Sequence, residues 1–353
     1  MFQKVYFVKH LGYFNKNERI CIMDKDFKLL TIKEEQKLLP EEKSIYYENL
    51  RKYILKRKLT NTTIGATTIA PKCKRIATKI ASVLVKVFSN KNAAWVCEGQ
   101  NNIPAGAVIF AHTHQGVLDN FVWMPEVEKH CLILHGQGVS KLLLLSQTID
   151  GLILVKKGDK KNNNNAKLDM IKILLEGHSI TYFPESTWNL SPNKLHLPLS
   201  FGVIDTAKKA KVPIIPVVHE FTYDTSTEKE NVTKIHSKFG KPIYVDDNDD
   251  LMEKLYEYEE CISTMRYEMI EAKGLFKRSK LTNFDYINFL KGNYKNIKFA
   301  GLDINDERKY IYTADSDFYQ FHHVNDVPWD AWGELCQTEE VERLKKINRV
   351  HGI

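Results

Sequence analysis

Apolar runs that alternate with helical patterns limit the possible folds of this chain more than any other feature. Buried-type strands are predicted at 107–112, 131–136, 151–157, 179–184 and 212–218, with a shorter one at 243–245. Residues 166–176 carry apolar side chains at helical spacing, and Gly177 follows them as a typical helix terminator. Strands that alternate with helices predict an α/β fold, with a mostly parallel sheet covered by helices. Ligands usually bind at the carboxyl ends of such strands.

Segments outside these strands also have recognisable patterns. Residues 27–32 are predicted as a short strand, followed by a polar helix from about Lys33 to Lys58. The run of asparagines at 162–165 is interpreted as a loop. Residues 246–272 have the acidic start that is typical of a helix, and we expect a long surface helix there.

The length of 353 residues fits one large domain or two modest ones. Hydrophobic residues make up 43% and charged residues 27%, values that exclude a disordered chain, a collagen-like fibre and a polytopic membrane protein. We predict an N-terminal segment of unknown role at 1–60 and a main domain at 61–274. A C-terminal appendage of unknown role follows at 275–353.

Positive charge is concentrated in one segment. The net charge is +7, and residues 51–91 contain basic side chains but no Asp or Glu. Within this segment, 71–89 repeat apolar residues at helical spacing, which predicts a basic amphipathic helix. We expect it to lie on an anionic membrane surface, although a core helix with a solvated basic side is the alternative. The side chains expected to contact the membrane are Lys72, Lys74, Arg75 and Lys79.

The cysteine and apolar patterns indicate where the protein works. Its six cysteines form no C-x-x-C pair, which argues against a zinc knuckle or a thioredoxin-type disulfide. The first residues lack the apolar core of a secretory signal, and no run of about 18 apolar residues could cross a bilayer. We therefore expect a cytoplasmic protein that is not secreted, has no transmembrane helix and associates peripherally with the inner face of a membrane.

A histidine and an aspartate directly after the first predicted strand form the main candidate for catalysis. His114 and Asp119 are five residues apart in a strand-to-helix turn. The carboxylate could hold one ring nitrogen and leave the other to take a proton. The spacing alone is not specific, because His219 and Asp224 repeat it.

Polar residues also end two other predicted strands. Glu185 and Thr187 follow 179–184 and could orient a polar acceptor, although an ordinary capping turn would use the same residue types. Lys157 ends 151–157, where a positive charge suits a phosphate; a solvated loop end is the alternative. Two prolines in 212–218 favour an edge-like strand.

In this order the motifs resemble those of the glycerolipid acyltransferases, typified by 1-acylglycerol-3-phosphate acyltransferase. The family motifs N-H-x-x-x-x-D, G-x-I-F-I-x-R, F-P-E-G-T-R and V-P-I-I-P-V correspond to 113–119, 151–157, 183–188 and 212–217. The last of these is identical, and the later G-K-P-I recurs at 240–243. The resemblance covers about residues 70–270, so it makes 61–274 an acyltransferase domain.

The resemblance implies an acyltransferase that moves an acyl group from a thioester to a hydroxyl of a lysophospholipid. His114 would be the general base and Asp119 would orient it. The acyl donor would be acyl-CoA or acyl-carrier protein, with no metal and no other cofactor. Residues implied in substrate binding are Glu185, Ser186, Thr187, Lys157, Trp188 and Pro213, the last as a support of the pocket.

The chain departs from the family motifs at four positions, and those in the second and third motifs concern the acceptor. Thr113 replaces the Asn of the first motif, Ser186 the Gly of the third, and Lys157 and Trp188 replace arginines. Arginine grips phosphate through two parallel hydrogen bonds, which neither lysine nor tryptophan can do. A sugar, a polymer or an amino acid is therefore the alternative acceptor.

Two other classes of function are compatible with parts of the sequence. His112 and His114 could be ligands of a metal-dependent hydrolase. The basic segment 51–91 could bind nucleic acid, but its aromatic residues are poorly placed for base stacking, so no nucleic-acid partner is expected. The sequence leaves open the acceptor, the acyl chain length, the donor carrier and the oligomeric state.

Overall fold

A computed structural model of the chain describes part of its residues. These are 27–64, 76, 79–80, 83, 94–115, 119–127, 129, 131–136, 151–156, 159–186, 189, 195–196, 199–224 and 231–272. Several predictions lie outside the described residues: the appendage at 275–353 and the side chains of Lys72, Lys74, Arg75, Lys157, Thr187 and Trp188.

The described part of the chain is built on one eight-stranded sheet. Its strands are β1 Thr63–Ile64, β2 Ala94–Glu98, β3 Ile109–His112, β4 Cys131–Gly136, β5 Leu152–Val155, β6 Ser179–Tyr182, β7 Ile214–Asp224 and β8 Asn231–Phe239. Their order is β1-β5-β4-β6-β3-β7-β8-β2. The β1–β5 and β7–β8 pairs are antiparallel and the other pairs are parallel. The predicted mostly parallel sheet covered by helices is confirmed.

Helices cover this sheet. They are α1 Ile32–Glu35, α2 Pro40–Lys56, α3 Asp119–Trp123, α4 Lys160–Leu175, α5 Gly202–Ala210 and α6 Leu251–Glu271, with short 3₁₀ turns at Gln100–Asn102 and Met124–Glu126. As predicted, α4 ends before Gly177, whose φ of 91° lets the next amide, of His178, bond back to the carbonyl of Ile173. The long helix expected within 246–272 is confirmed as α6.

Three predicted elements are wrong. Residues 27–31 form no strand, because Thr31 caps α1 by accepting a hydrogen bond from the amide of Glu34. The asparagines at 162–165 belong to α4, whose first turn is capped by Asp159. Residues 243–245 contribute only an isolated bridge between Ile243 and Ile214.

Strand β7 lies in the interior of the sheet rather than at an edge-like position. It pairs with β3 on one side and with β8 on the other. Amides of β3 and of Thr113 after it bond to the carbonyls of Pro213 and Val217, so the backbone of Pro216 faces β8. There the amide of Gly240, just past the end of β8, bonds to the carbonyl of Pro216. Pro216 has no N–H, but it lies just before the first pair of the β7–β8 ladder, Val217 and Phe239. The proline therefore removes no hydrogen bond from this ladder.

The N-terminal helix α2 shares the main hydrophobic core. Its Tyr47, Leu50 and Ile54 are buried in the same apolar cluster as side chains of α4, α5 and the sheet. The Tyr47 hydroxyl donates to Glu35 at 3.0 Å, and Lys209 of α5 pairs with the same carboxylate at 2.8 Å. Part of segment 1–60 thus packs directly against the predicted domain.

Within the predicted amphipathic helix at 71–89, the described residues are Ile76, Lys79, Ile80 and Val83, and all are helical. The three apolar side chains are 60%, 56% and 61% exposed. These side chains lie outside the core, which disagrees with the alternative prediction of a core helix. Among the described residues, no helix has both the length and the apolarity needed to cross a bilayer.

Candidate active site

The site forms where the parallel strands β3 and β6 end side by side. His114 follows β3, and Glu185 follows β6 after a short turn. Strand β7 flanks β3 on the other side and continues past the end of β3. The carboxyl ends of parallel strands meet at one edge, so residues far apart in sequence converge there.

The predicted contact between His114 and Asp119 is confirmed. Nδ1 of His114 lies 2.8 Å from Oδ2 of Asp119, and the same oxygen accepts the amide hydrogen of Gln115 at 2.8 Å. Asp119 is buried at the start of α3, whereas the His114 side chain is 14% exposed. An ionised carboxylate only accepts hydrogen bonds, so Nδ1 carries the proton and Nε2 is the nitrogen available as a base.

Glu185 holds the main chain of the histidine. Its side chain is 1% exposed, and Oε1 accepts the amide hydrogen of His114 at 2.9 Å. The carbonyl of His114 accepts from the amide of Asn189 at 2.6 Å. Both main-chain groups of the base are therefore bound by residues that follow β6. Sequence reasoning had placed Glu185 on the acceptor and did not find Asn189, which acts through its backbone.

Ser186 stands at a position whose backbone conformation favours the family's glycine. Its φ is 57°, in the left-handed region, and its amide bonds to the carbonyl of Phe183 at 3.0 Å to close a tight turn. The family glycine suits this conformation, which costs other residues roughly 1–2 kcal/mol. Ser186 is exposed beside the buried Glu185, so it is one predicted substrate-binding residue that the structure places at the site surface.

The structure does not bring Pro213 to this edge. Its carbonyl accepts the amide hydrogen of Ile109, at the amino end of β3, at 3.0 Å. His114 lies beyond the opposite end of that strand. The remaining predicted substrate-binding side chains, of Lys157, Thr187 and Trp188, lie outside the described residues, and the exposed Lys156 marks the end of β5.

The two histidines considered as a metal pair make separate contacts. Nδ1 of His112 lies 2.9 Å from Nε2 of His219, so this histidine is hydrogen-bonded to the neighbouring strand. His114 binds Asp119 instead. In the described part of the chain, no three His, Cys, Asp or Glu side chains are grouped as a metal site would need. His219 binds Ser237 of β8 through its other ring nitrogen, Nδ1, at 2.8 Å.

A polar network that sequence reasoning missed lies on the β7 side of the site. Oε2 of Glu220 lies 3.2 Å from Nε of Arg266 in α6 and 3.4 Å from Nε2 of Gln115. Arg266 also donates to the carbonyl of Leu195 at 2.5 Å. The contact between Glu220 and Arg266 joins residues that are 46 positions apart, on elements with no shared motif, so no sequence signal points to it.

A third histidine lies near the same edge. His135 is half-buried at the end of β4, and its Nδ1 is 2.6 Å from the carbonyl of Gly136. Burial lowers the pKa of His135, and the nearby His114 lowers it further. The edge thus combines one aspartate-bound histidine with a second imidazole that resists protonation.

Comparison with known proteins identifies the domain. Residues 95–220 match the family model described as Acyltransferase, which covers β2 to β7 and includes His114, Asp119 and Glu185. None of the curated proteins has a significantly matching sequence. A solved structure, that of the 1-acyl-sn-glycerophosphate (LPA) acyltransferase PlsC from Thermotoga maritima, is 20% identical. The match covers 64% of this chain and 82% of that one, with a TM-score of 0.40. The family predicted from the motifs is confirmed: residues 95–220 belong to the acyltransferase family.

Proposed function

We propose that this protein transfers a fatty acyl group from an acyl thioester to a hydroxyl of a lysophospholipid or a related acceptor. The observation that carries the proposal is the 2.8 Å contact between His114 and Asp119, within a domain of the acyltransferase family. The contact leaves Nε2 of a partly exposed imidazole as the base. The co-substrate would be acyl-CoA or acyl-carrier protein, and the chemistry requires no further cofactor.

The proposed reaction proceeds without a covalent enzyme intermediate. Nε2 of His114 takes the proton of the acceptor hydroxyl while the oxygen attacks the thioester carbonyl. The tetrahedral intermediate then expels the thiolate, and the imidazolium returns the proton to sulfur. Asp119 keeps the ring in the correct tautomer and stabilises the positive charge that develops on it.

Two classes of acceptor are proposed. A lysophospholipid phosphate would meet the exposed Lys156 and its neighbour Lys157 at the end of β5. The alternative is an acceptor without phosphate, such as a sugar, a polymer or an amino acid. Trp188 of the third motif would suit a sugar acceptor, because its indole could stack on the sugar ring.

Peripheral binding to an anionic membrane is proposed from the exposed apolar side chains of Ile76, Ile80 and Val83. They recur at helical spacing next to the exposed Lys79, in a segment rich in basic residues. An interfacial helix combines these two features, because its apolar face enters the headgroup region while its cations meet anionic lipids. The inner face of a membrane is the proposed location.

The catalytic proposal is tested by comparing wild type with His114→Ala. A screen of acyl-CoA against lysophospholipids, sugars and amino acids, read by mass spectrometry, should find a product with wild type and none with the variant. His236→Ala is a matched control, since this histidine lies on β8 with Nε2 3.4 Å from Glu98. Activity of His114→Ala equal to wild type would refute its role as base.

The membrane proposal is tested by sedimentation with vesicles that contain or lack anionic phospholipid. Each cation near such a surface contributes about 1 kcal/mol. Glutamine at Lys72, Lys74, Arg75 and Lys79 together should therefore weaken binding to anionic vesicles by at least about 100-fold. The control removes four exposed lysines elsewhere: Lys33, Lys37, Lys52 and Lys241. Equal binding by both variants would contradict the proposal.

A further inference from the structure

Two buried histidines lie directly behind the proposed base. His112 is the last residue of β3 and His219 belongs to the neighbouring strand β7; both side chains are fully buried. Their rings are parallel within 3°, and Nδ1 of His112 is 2.9 Å from Nε2 of His219. Nδ1 of His219 is 2.8 Å from the hydroxyl of Ser237 in β8. The three side chains form one hydrogen-bonded chain across adjacent strands.

The ring of His112 is held by its contact with His219. Its Nε2 is buried without a hydrogen-bond partner among the described residues. The neighbouring rings are aromatic: Trp123 lies 4.7 Å away and Phe110 6.4 Å away, between ring centroids. In the described part of the chain, the contact with His219 is therefore the hydrogen bond that fixes this ring.

The two hydrogen bonds make the tautomers of the rings depend on each other. A neutral imidazole donates at one nitrogen and accepts at the other. If Nε2–H of His219 donates to His112, then Nδ1 of His219 accepts from the hydroxyl of Ser237; if Nδ1–H of His112 donates, then Nδ1–H of His219 donates to that hydroxyl. In both cases the two rings share one tautomer, and the pair is neutral.

The pair reaches His114 by two routes. The amide of His219 donates to the hydroxyl of Thr113, the residue before His114, at 3.0 Å. The ring of Phe183 lies 5.2 Å from that of His112 and 4.1 Å from that of His114. The main chain of His219 thus binds the side chain next to the base, and the ring of His112 packs against the aromatic ring beside the base.

The pair also resists protonation. Burial lowers the pKa of His112 to well below 6.5, and burial lowers that of His219 to about 4. The titratable groups that face the pair are His114 and Asp119, and they affect His219 in opposite directions. No buried charge arises behind His114 at neutral pH.

We propose that His112 and His219 are positioning residues for His114: a neutral imidazole pair, hydrogen-bonded from β7 to β3, that holds the ring of Phe183 in place beside the base. The inference rests on the proposed role of His114 as the base. The pair touches neither substrate nor reacting atoms, so its effect is expected on turnover rather than on substrate affinity.

Nuclear magnetic resonance of protein labelled with ¹⁵N in histidine tests the pair without any turnover. We expect both rings to be neutral and in the same tautomer from pH 5 to pH 8. In His219→Leu, the ring signals of His114 should move, because Phe183 shifts beside it. Different tautomers at the two rings, titration of either ring within this range, or unchanged His114 signals would overturn the proposal.

Kinetics with an acyl thioester then separates positioning from folding. We expect His219→Leu to lower kcat by about 10- to 100-fold with KM nearly unchanged, as small displacements of a catalytic group do. His219→Gln should recover most of this loss, because its carboxamide can donate to His112 or accept from it near the place of Nε2. His236→Leu on β8 is the matched control, and Ser237→Ala is a milder variant should His219→Leu fold poorly. Wild-type kcat in a folded His219→Leu, or no recovery in His219→Gln, would overturn the proposal. Absence of turnover in wild type would instead reject the proposed function, and the resonance experiment would still decide on the pair.

Discussion

Replacing Asp119 by asparagine tests the proposed mechanism most directly. Oδ2 of Asp119 accepts both from Nδ1 of His114 and from the amide of Gln115, each at 2.8 Å. Asparagine has the same shape and can present its carbonyl oxygen to both donors. The change therefore removes the negative charge while it leaves the two hydrogen bonds possible.

The magnitude follows from the 2.8 Å distance. When His114 takes a proton, the imidazolium in the wild type faces a carboxylate, with an attraction of about 4–6 kcal/mol at an effective dielectric constant near 20. Before proton transfer, Asp119 faces only a neutral imidazole, so this energy is gained in the transition state alone. Since about 1.36 kcal/mol changes a rate tenfold, we expect Asp119→Asn to lower kcat by roughly 10³- to 10⁴-fold with little change in KM.

The assay follows release of the free thiol from an acyl thioester in the presence of acceptor. Asp169→Asn is the matched control, because Asp169 is equally buried but accepts hydrogen bonds from Thr60, Thr62 and Thr63 near β1. It should lose stability and keep kcat. A fall in kcat below tenfold in a folded Asp119→Asn, or an equal rise in KM, would refute the argument.

Three further predictions concern support of the site and stability. Glu185→Gln keeps an acceptor for the amide of His114 and should retain most of kcat, whereas Glu185→Ala should lower the free energy of unfolding by about 1–3 kcal/mol. A similar rise in the acceptor KM in both variants would assign the carboxylate to acceptor binding. The lowered pKa of His219, about 4, makes its contribution to stability complete above pH 6.5 and progressively lost towards pH 4, by about 3 kcal/mol. Urea unfolding at pH 6.5 and 4.5 should therefore depend less on pH in His219→Gln than in wild type, and equal dependence would contradict this. Leu50→Ala in α2 should lower the free energy of unfolding by about 2–5 kcal/mol in urea titrations; a loss below about 1 kcal/mol would mean that α2 folds apart from the core.

Five neighbouring strands of the sheet and the contact between His114 and Asp119 could be predicted because their signals are local. Apolar runs marked five of the parallel-sheet strands, and the five-residue spacing placed His114 opposite Asp119 within one turn. The asparagines at 162–165 were misassigned because tertiary contacts override their weak helix propensity. Asp159 caps the helix, and the side chain of Asn162 donates to the carbonyl of Leu154 at 3.0 Å.

Other parts of the site depend on contacts between distant segments. His112 and His219 are 107 positions apart, and nothing in either local sequence indicates that the two rings meet. The same holds for Arg266 and Glu220, which come together only when α6 packs on β7. The buried position of Glu185 was also not predictable, because an acidic residue in a turn is usually solvated.

The main chain of His114 is clamped on both sides by the segment after β6, through Glu185 at its amide and the amide of Asn189 at its carbonyl. The segment that the family motif implies in acceptor binding therefore also fixes the main chain of the proposed base. Replacing the turn after β6 to change the acceptor would therefore also move the main chain of His114. We expect that grafts which keep a carboxylate or carboxamide at position 185 retain turnover, whereas grafts chosen for acceptor fit alone lose it.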